Sequence, residues 1–142
     1  ISTILACEEF KMASTTFSGP VTSTNGFIGA LTGNVTGNVT GNTTGVVTGT
    51  IQLLSGAGAV NITDMLTQLT TTGASQTLTL ANGTAGQVKI IVHTVDGGSA
   101  VLTPTTKIGF STITFTAVGD SVYMIYTATG WAVVGSKGVT IA

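Results

Sequence analysis

The chain has 142 residues, of which only 6 % are charged: four lysines, no arginine and five acids, for a formal net charge of −1. Ordinary soluble domains carry roughly a quarter charged residues, so much of this surface is expected to be covered by protein in the working state; the basic stripe and guanidinium forks suited to nucleic acid are missing. Mean hydropathy is +0.54, yet no apolar run approaches the ~20 residues of a membrane helix, and 6 % aromatic residues are too few for the girdles of a membrane barrel.

Ile1 to Lys11 lacks the basic start and long apolar stretch of a signal peptide, and Met12-Ala13-Ser14-Thr15 reads as a translation start. The first segment is therefore expected to be an upstream extension or a processed remnant. The lone Cys7 excludes an intrachain disulfide. Gly19-Pro20 and Asn25-Gly26 punctuate the next stretch, in which Phe17, Phe27, Ile28 and Leu31 are candidate anchors for docking.

Thr32 to Thr50 then reads TGNV, TGNV, TGNT, TGVV, TGT. A period of four is two strand periods, so in an extended chain Thr and Asn share one face and Gly with Val or Thr the other. Gly and β-branched Thr both disfavour helix. Val35, Val39, Val46 and Val47 are expected to line the apolar stripe. A stripe so narrow builds no core by itself and is expected to be covered by neighbouring copies. Residues 1–50 are accordingly read as an extended N-terminal arm.

Residues 51–142 are read as an antiparallel β-sandwich of jelly-roll-like type, making the whole chain all-β. Ile51 to Leu54 is a short apolar strand and Ser55-Gly56-Ala57-Gly58 a corner. Asn61 to Leu69 has some helical spacing at Ile62, Met65, Leu66 and Leu69, but its Thr-rich context favours strand. Leu78 and Leu80 alternate with threonines, and Asn82-Gly83 is the strongest hairpin signal in the chain. Val88, Ile90, Val92 and Thr94 form one face of the following strand, and Lys89, Ile91 and His93 the other. Asp96-Gly97-Gly98 turns it, Pro104 stops the strand from Ala100, and Gly119-Asp120 and Gly130 punctuate three further alternating segments, the last ending at Ile141. Short strands with Gly-rich turns indicate such a sandwich.

Catalysis has little to work with. His93, Asp96 and Ser99 fall around one predicted turn, where Asp and Gly set a bend and Ser decorates it; a triad needs the base held between nucleophile and carboxylate. Glu8, Glu9, Asp64, Asp96 and Asp120 are scattered, no metal-ligand spacing recurs, and GNVTG lacks the Lys-Ser/Thr of a phosphate loop. No catalytic, cofactor-binding or metal-binding residues are expected. Asn34, Asn38, Asn42, Asn61 and Asn82 begin N-x-Thr sequons, the first three of which follow automatically from the repeat.

The arm GFIGALTGNVTGNVTGN, the corner GAGAVNIT, and the stretches LTLANGTAGQVKIIVHTVDGGSAVLTPT and ITFTAVGDSVYMIYTATGWAVVG resemble small virion structural proteins of tailed bacteriophages, particularly those of marine hosts. The resemblance covers most of the chain from Met12 onward and implies a capsid decoration or tail-fibre module, commonly trimeric, with no catalytic residues to carry over. The expected function is a homotrimeric decoration, or cement, protein on the outer surface of the phage head. Its partner would be the major capsid protein, with neither nucleic acid nor membrane involved. A tail-fibre tip binding a host surface glycan through Tyr123, Tyr126 or Trp131 is the alternative, and a self-assembling extracellular filament subunit the third reading.

Overall fold

In the computed structural model, which describes Val46 and residues 48–142, the alternation of apolar residues with threonine resolves into strands without any helix among the described residues. They are β1 (Ile51–Ser55), β2 (Gly58–Val60), β3 (Leu66–Thr70), β4 (Gln76–Leu80), β5 (Val88–Val95), β6 (Ala100–Pro104), β7 (Ile113–Phe115), β8 (Ser121–Tyr126), β9 (Trp131–Lys137) and β10 (Thr140–Ile141). One five-stranded sheet has the order β1-β3-β5-β8-β9 and the other β10-β7-β6-β4-β2. Their inner faces share one core, so the described residues form an all-β sandwich.

Both sheets are mixed, which corrects the antiparallel, jelly-roll-like expectation. β1, β3 and β5 pair in parallel, as do β2, β4 and β6. The first six strands alternate between the two sheets, so the chain winds as three stacked rungs before its remaining strands add antiparallel pairs. Asn82-Gly83 is accordingly no hairpin: residues 81–87 carry the chain from β4 in one sheet to β5 in the other. The bend at Asp96 to Gly98 crosses in the same way, as does the one at Gly119-Asp120. Of these predicted turns only the one at Gly130 closes an antiparallel neighbour pair, β8 with β9; the antiparallel neighbours β6 and β7 are joined by the longer stretch 105–112. The physical reason is that turn residues fix where a chain bends and leave its destination open. A hairpin and a crossover both bury every second residue of the strands they join.

Stacking places like upon like in the core. Leu78, Leu102 and Ile113 form one register row across the second sheet, all fully buried. Thr67, Ile91 and Val122 form a row across the first. Trp131 closes the far part of the core, with its indole N–H donated to Ala81 O at 2.8 Å and Tyr126 packed edge-on against it. Each large aliphatic side chain buried in this way contributes about 1.5–3 kcal/mol.

The rungs approach one another closely at their turns. A Cβ on Gly97 would overlap the carbonyl oxygen of Thr71, and one on Gly98 would lie 2.5 Å from the backbone of Gly73. Gly98 also has φ +140, a region that side chains rarely adopt. Gly98→Ala should therefore lower unfolding stability by about 2–4 kcal/mol through combined strain and overpacking. Gly86→Ala, at φ +88 with open space around it, should cost only about 1–2 kcal/mol of backbone strain. Urea denaturation of the two variants checks the order.

Candidate assembly interface

The two ends of the sandwich differ. At the end where the described chain begins, β1 and β2 are the edges of their sheets. Between them the interior is closed by Gln52, whose amide N–H donates to Ala59 O at 2.9 Å while its oxygen accepts Asn61 N–H and the Thr67 hydroxyl, both at 2.9 Å. That side chain satisfies three groups and ties the edge strands together. The edges themselves stay open among the described residues. Leu66 N–H bonds Thr50 O at 3.2 Å, so by the alternation of a parallel ladder Gln52 and Leu54 also face β3, and the N–H groups of Ile51 and Leu53 point away. Neither Pro nor a charge interrupts IQLLS, and no bulge does.

The opposite end is guarded. Residues 106–108 lie along the start of β9: Trp131 N–H donates to Thr106 O at 3.0 Å and Ile108 N–H to Trp131 O at 2.9 Å. Further along β9, a bulge at Val134 breaks the register with β8, and Lys137 places a charge on the strand. β10 has only two residues. These are ordinary devices against unwanted strand addition; at the other end β2 is short, with three residues, while β1 has none of them among the described residues.

The outer faces of the sheets differ as well. On the first sheet the register rows are Ile51–Leu66–Ile90–Tyr123, Leu53–Gln68–Val92–Ser121–Lys137 and Val88–Ile125–Ala132. Leu53 is 77 % exposed, Ile51 49 % and Tyr123 39 %. On the second sheet the rows are Ala59–Thr79–Thr103 and Thr77–Val101–Thr114–Thr140. Alternation alone could not say which side of β5 faces inward; the core takes Lys89, Ile91 and His93 and leaves Val88, Ile90 and Val92 on the outside.

The buried polar side chains hold turns. Lys89 is fully buried and donates from Nζ to Asp64 O at 2.7 Å, fixing the connection between β2 and β3. Burial pushes its ammonium down to about 8, opposed by the Asp64 carboxylate. Asp64 is held below the ordinary carboxylate range by the Thr50 hydroxyl and the Asn61 amide. Asp120 is likewise held low, chiefly by the Thr116 N–H, with those of Ala117 and the Thr116 hydroxyl adding to it; its Oδ2 accepts the two backbone donors at 2.7 and 3.0 Å. Thr71 Oγ1 accepts Gly97 N–H at 2.8 Å and lies 3.0 Å from His93 Nε2. Placing the imidazole proton on Nε2 leaves the unpartnered Nδ1 as a bare acceptor, which is cheaper than a buried N–H without a partner.

His93, Asp96 and Ser99 are engaged separately. His93 meets Thr71, Asp96 Oδ1 accepts Gly98 N–H at 2.8 Å, and Ser99 Oγ accepts Ser75 N–H at 2.9 Å. Trp131 is buried and Tyr126 half-buried beside it, so of the three aromatic residues weighed for glycan contact Tyr123 alone is exposed. Among the sequons, Asn61 donates to Asp64 Oδ2 at 2.6 Å and Asn82 Oδ1 accepts the Thr106 hydroxyl at 2.6 Å. Of the interface residues expected from sequence, Val46 is 94 % exposed. Phe17, Phe27, Ile28, Leu31, Val35, Val39 and Val47 lie outside the described residues.

Because the folded Lys89 releases its proton near 8 and an unfolded lysine near 10.4, the unfolded chain binds more protons between those values. Stability should thus rise as pH increases from about 8 to about 10. Lys89→Met should be less stable than the native chain at pH 7 by about 1–3 kcal/mol, since it leaves Asp64 O without its donor. Its deficit should widen toward pH 10, where the native chain gains. Denaturant titrations at several pH values check both statements.

No protein-family model matches the chain, and no match is found among curated proteins.

Proposed function

We propose that the protein is a non-enzymatic structural subunit of a phage virion, a trimeric decoration protein that stabilises the head by bridging capsomers. The observation that carries this reading is the β1 edge, which no charge, proline or bulge guards among the described residues. A charge-free edge with outward N–H groups at Ile51 and Leu53 is suited to accept or join a strand, and it lies where residues 1–50, with their Gly/Thr/Asn repeat, lead into the sandwich. The low charge of the whole chain agrees with a surface mostly covered by protein.

In mechanical terms, strand addition at that edge supplies backbone hydrogen bonds, while Phe17, Phe27, Ile28 and Leu31 act as anchors in pockets of the capsid lattice. The arm would join neighbouring subunits and resist internal pressure. The sandwich would remain outside as the copy-rich knob.

Leu53→Pro tests the reading without loss of a ladder bond, because the N–H it removes points away from β3 and proline is accepted on edge strands. The variant should keep its fold by circular dichroism but lose at least tenfold in affinity for stripped phage particles in co-sedimentation. Deletion of residues 17–50 should abolish that binding. Undiminished binding by both variants would exclude the proposal.

A further inference from the structure

We infer that the outer face of the first sheet is the surface through which copies of this chain pack on one another. The inference deepens the trimeric reading above and rests on it only for the number of copies.

The sandwich contains its own comparison. Both sheets have five strands and one face turned away from the core. The second presents threonines at Thr77, Thr79, Thr103, Thr114 and Thr140, as a solvated sheet face should. The first presents Ile51, Leu53, Leu66, Ile90, Val92 and Tyr123 at equivalent outward positions. Solubility does not require that pattern and works against it. An aliphatic patch on the outside of a sheet marks a surface that another protein covers.

Its charge and size point to a copy of the same chain. Within the three register rows the sole charged side chain is Lys137, at the far corner, and there is no acid. A foreign partner is normally selected by complementary charges, and this face offers almost none to read. Copies of the same face gathered about a shared axis need none: the patch they bring together is apolar, and Lys137 is left at a solvated rim. Five strands spaced about 4.8 Å apart and about five residues long span roughly 24 by 17 Å, or about 400 Å² in projection. That is about half of the ~800 Å² that each partner buries in a standard interface. The face accordingly forms the apolar centre of a self-interface, with three copies of it turned toward one threefold axis.

The test is the solution mass of the full chain over a range of concentrations, by sedimentation equilibrium. The native protein should show a multiple of 14.1 kDa, expected to be three. Leu53→Lys combined with Tyr123→Lys should shift the protein to the single-chain mass or weaken association at least tenfold. Thr79→Lys with Thr103→Lys on the other sheet should leave the mass unchanged. Should the first pair fail to fold by circular dichroism, Ile90→Thr with Tyr123→Thr keeps strand-forming residues and should weaken association in the same way. Native protein that is monomeric at every concentration overturns the inference, including the case in which it pellets with lipid vesicles or with particles through this face. So does an oligomer that survives the sheet-one variants. Intact self-association with no binding to phage particles would instead sink the virion reading and leave this one standing.

Discussion

The sandwich depends on how closely one turn can lie on the next. Where β5 passes into β6, the backbone at Gly97 and Gly98 rests directly on that of Thr71 to Ala74, the connection from β3 to β4. Side chains at those two positions would hold the connections apart. With the turns in contact, successive strands of a sheet fall into parallel register, which sets Leu78 beside Leu102; the antiparallel β7 then adds Ile113 to the row. The core is consequently a stack of rows that the turns align.

Polar groups inside the sandwich follow the same logic. Gln52, Lys89 and Thr71 are not isolated charges and hydroxyls submerged in an apolar medium. Each bonds to the backbone of a turn or edge: Gln52 to Ala59 and Asn61, Lys89 to Asp64, Thr71 to Gly97. A buried polar atom without its partner is expensive. These contacts therefore make a displaced turn unfavourable even where its exposed surface contributes little.

Strand identity was readable because alternation survives in almost every element, from Gln76–Leu80 to Ser121–Tyr126. The class and the β-sandwich architecture follow from that. Strand direction was not readable, since Asn82-Gly83 and Asp96 to Gly98 bend the chain equally well toward a neighbour or across the core. The signal that bore on it was subtler: two adjacent glycines at 97 and 98, in a turn that needs only one, imply an approach by other backbone. The inward side of β5 was hidden for a different reason. Hydropathy favours burying Val88, Ile90 and Val92 over Lys89, Ile91 and His93, whereas the structure buries the second set, in which Lys89 meets Asp64 O and His93 meets Thr71. The open edge at β1 was legible as a short apolar strand, IQLLS, while its position at the limit of a sheet required the topology.

The contrast between the guarded β9 strand and the open β1 strand gives the sandwich a direction. Growth of a β-stack by repeated addition requires that every newcomer offer a fresh template on its exposed side. Here the covered segment along Trp131 and the bulge at Val134 withdraw that template. Among the described residues, a sandwich with these edges could be joined at β1 and would pass nothing on from β9, which is what a stopper does. Assemblies built with such a piece would be finite, with their size set by the geometry of what it caps.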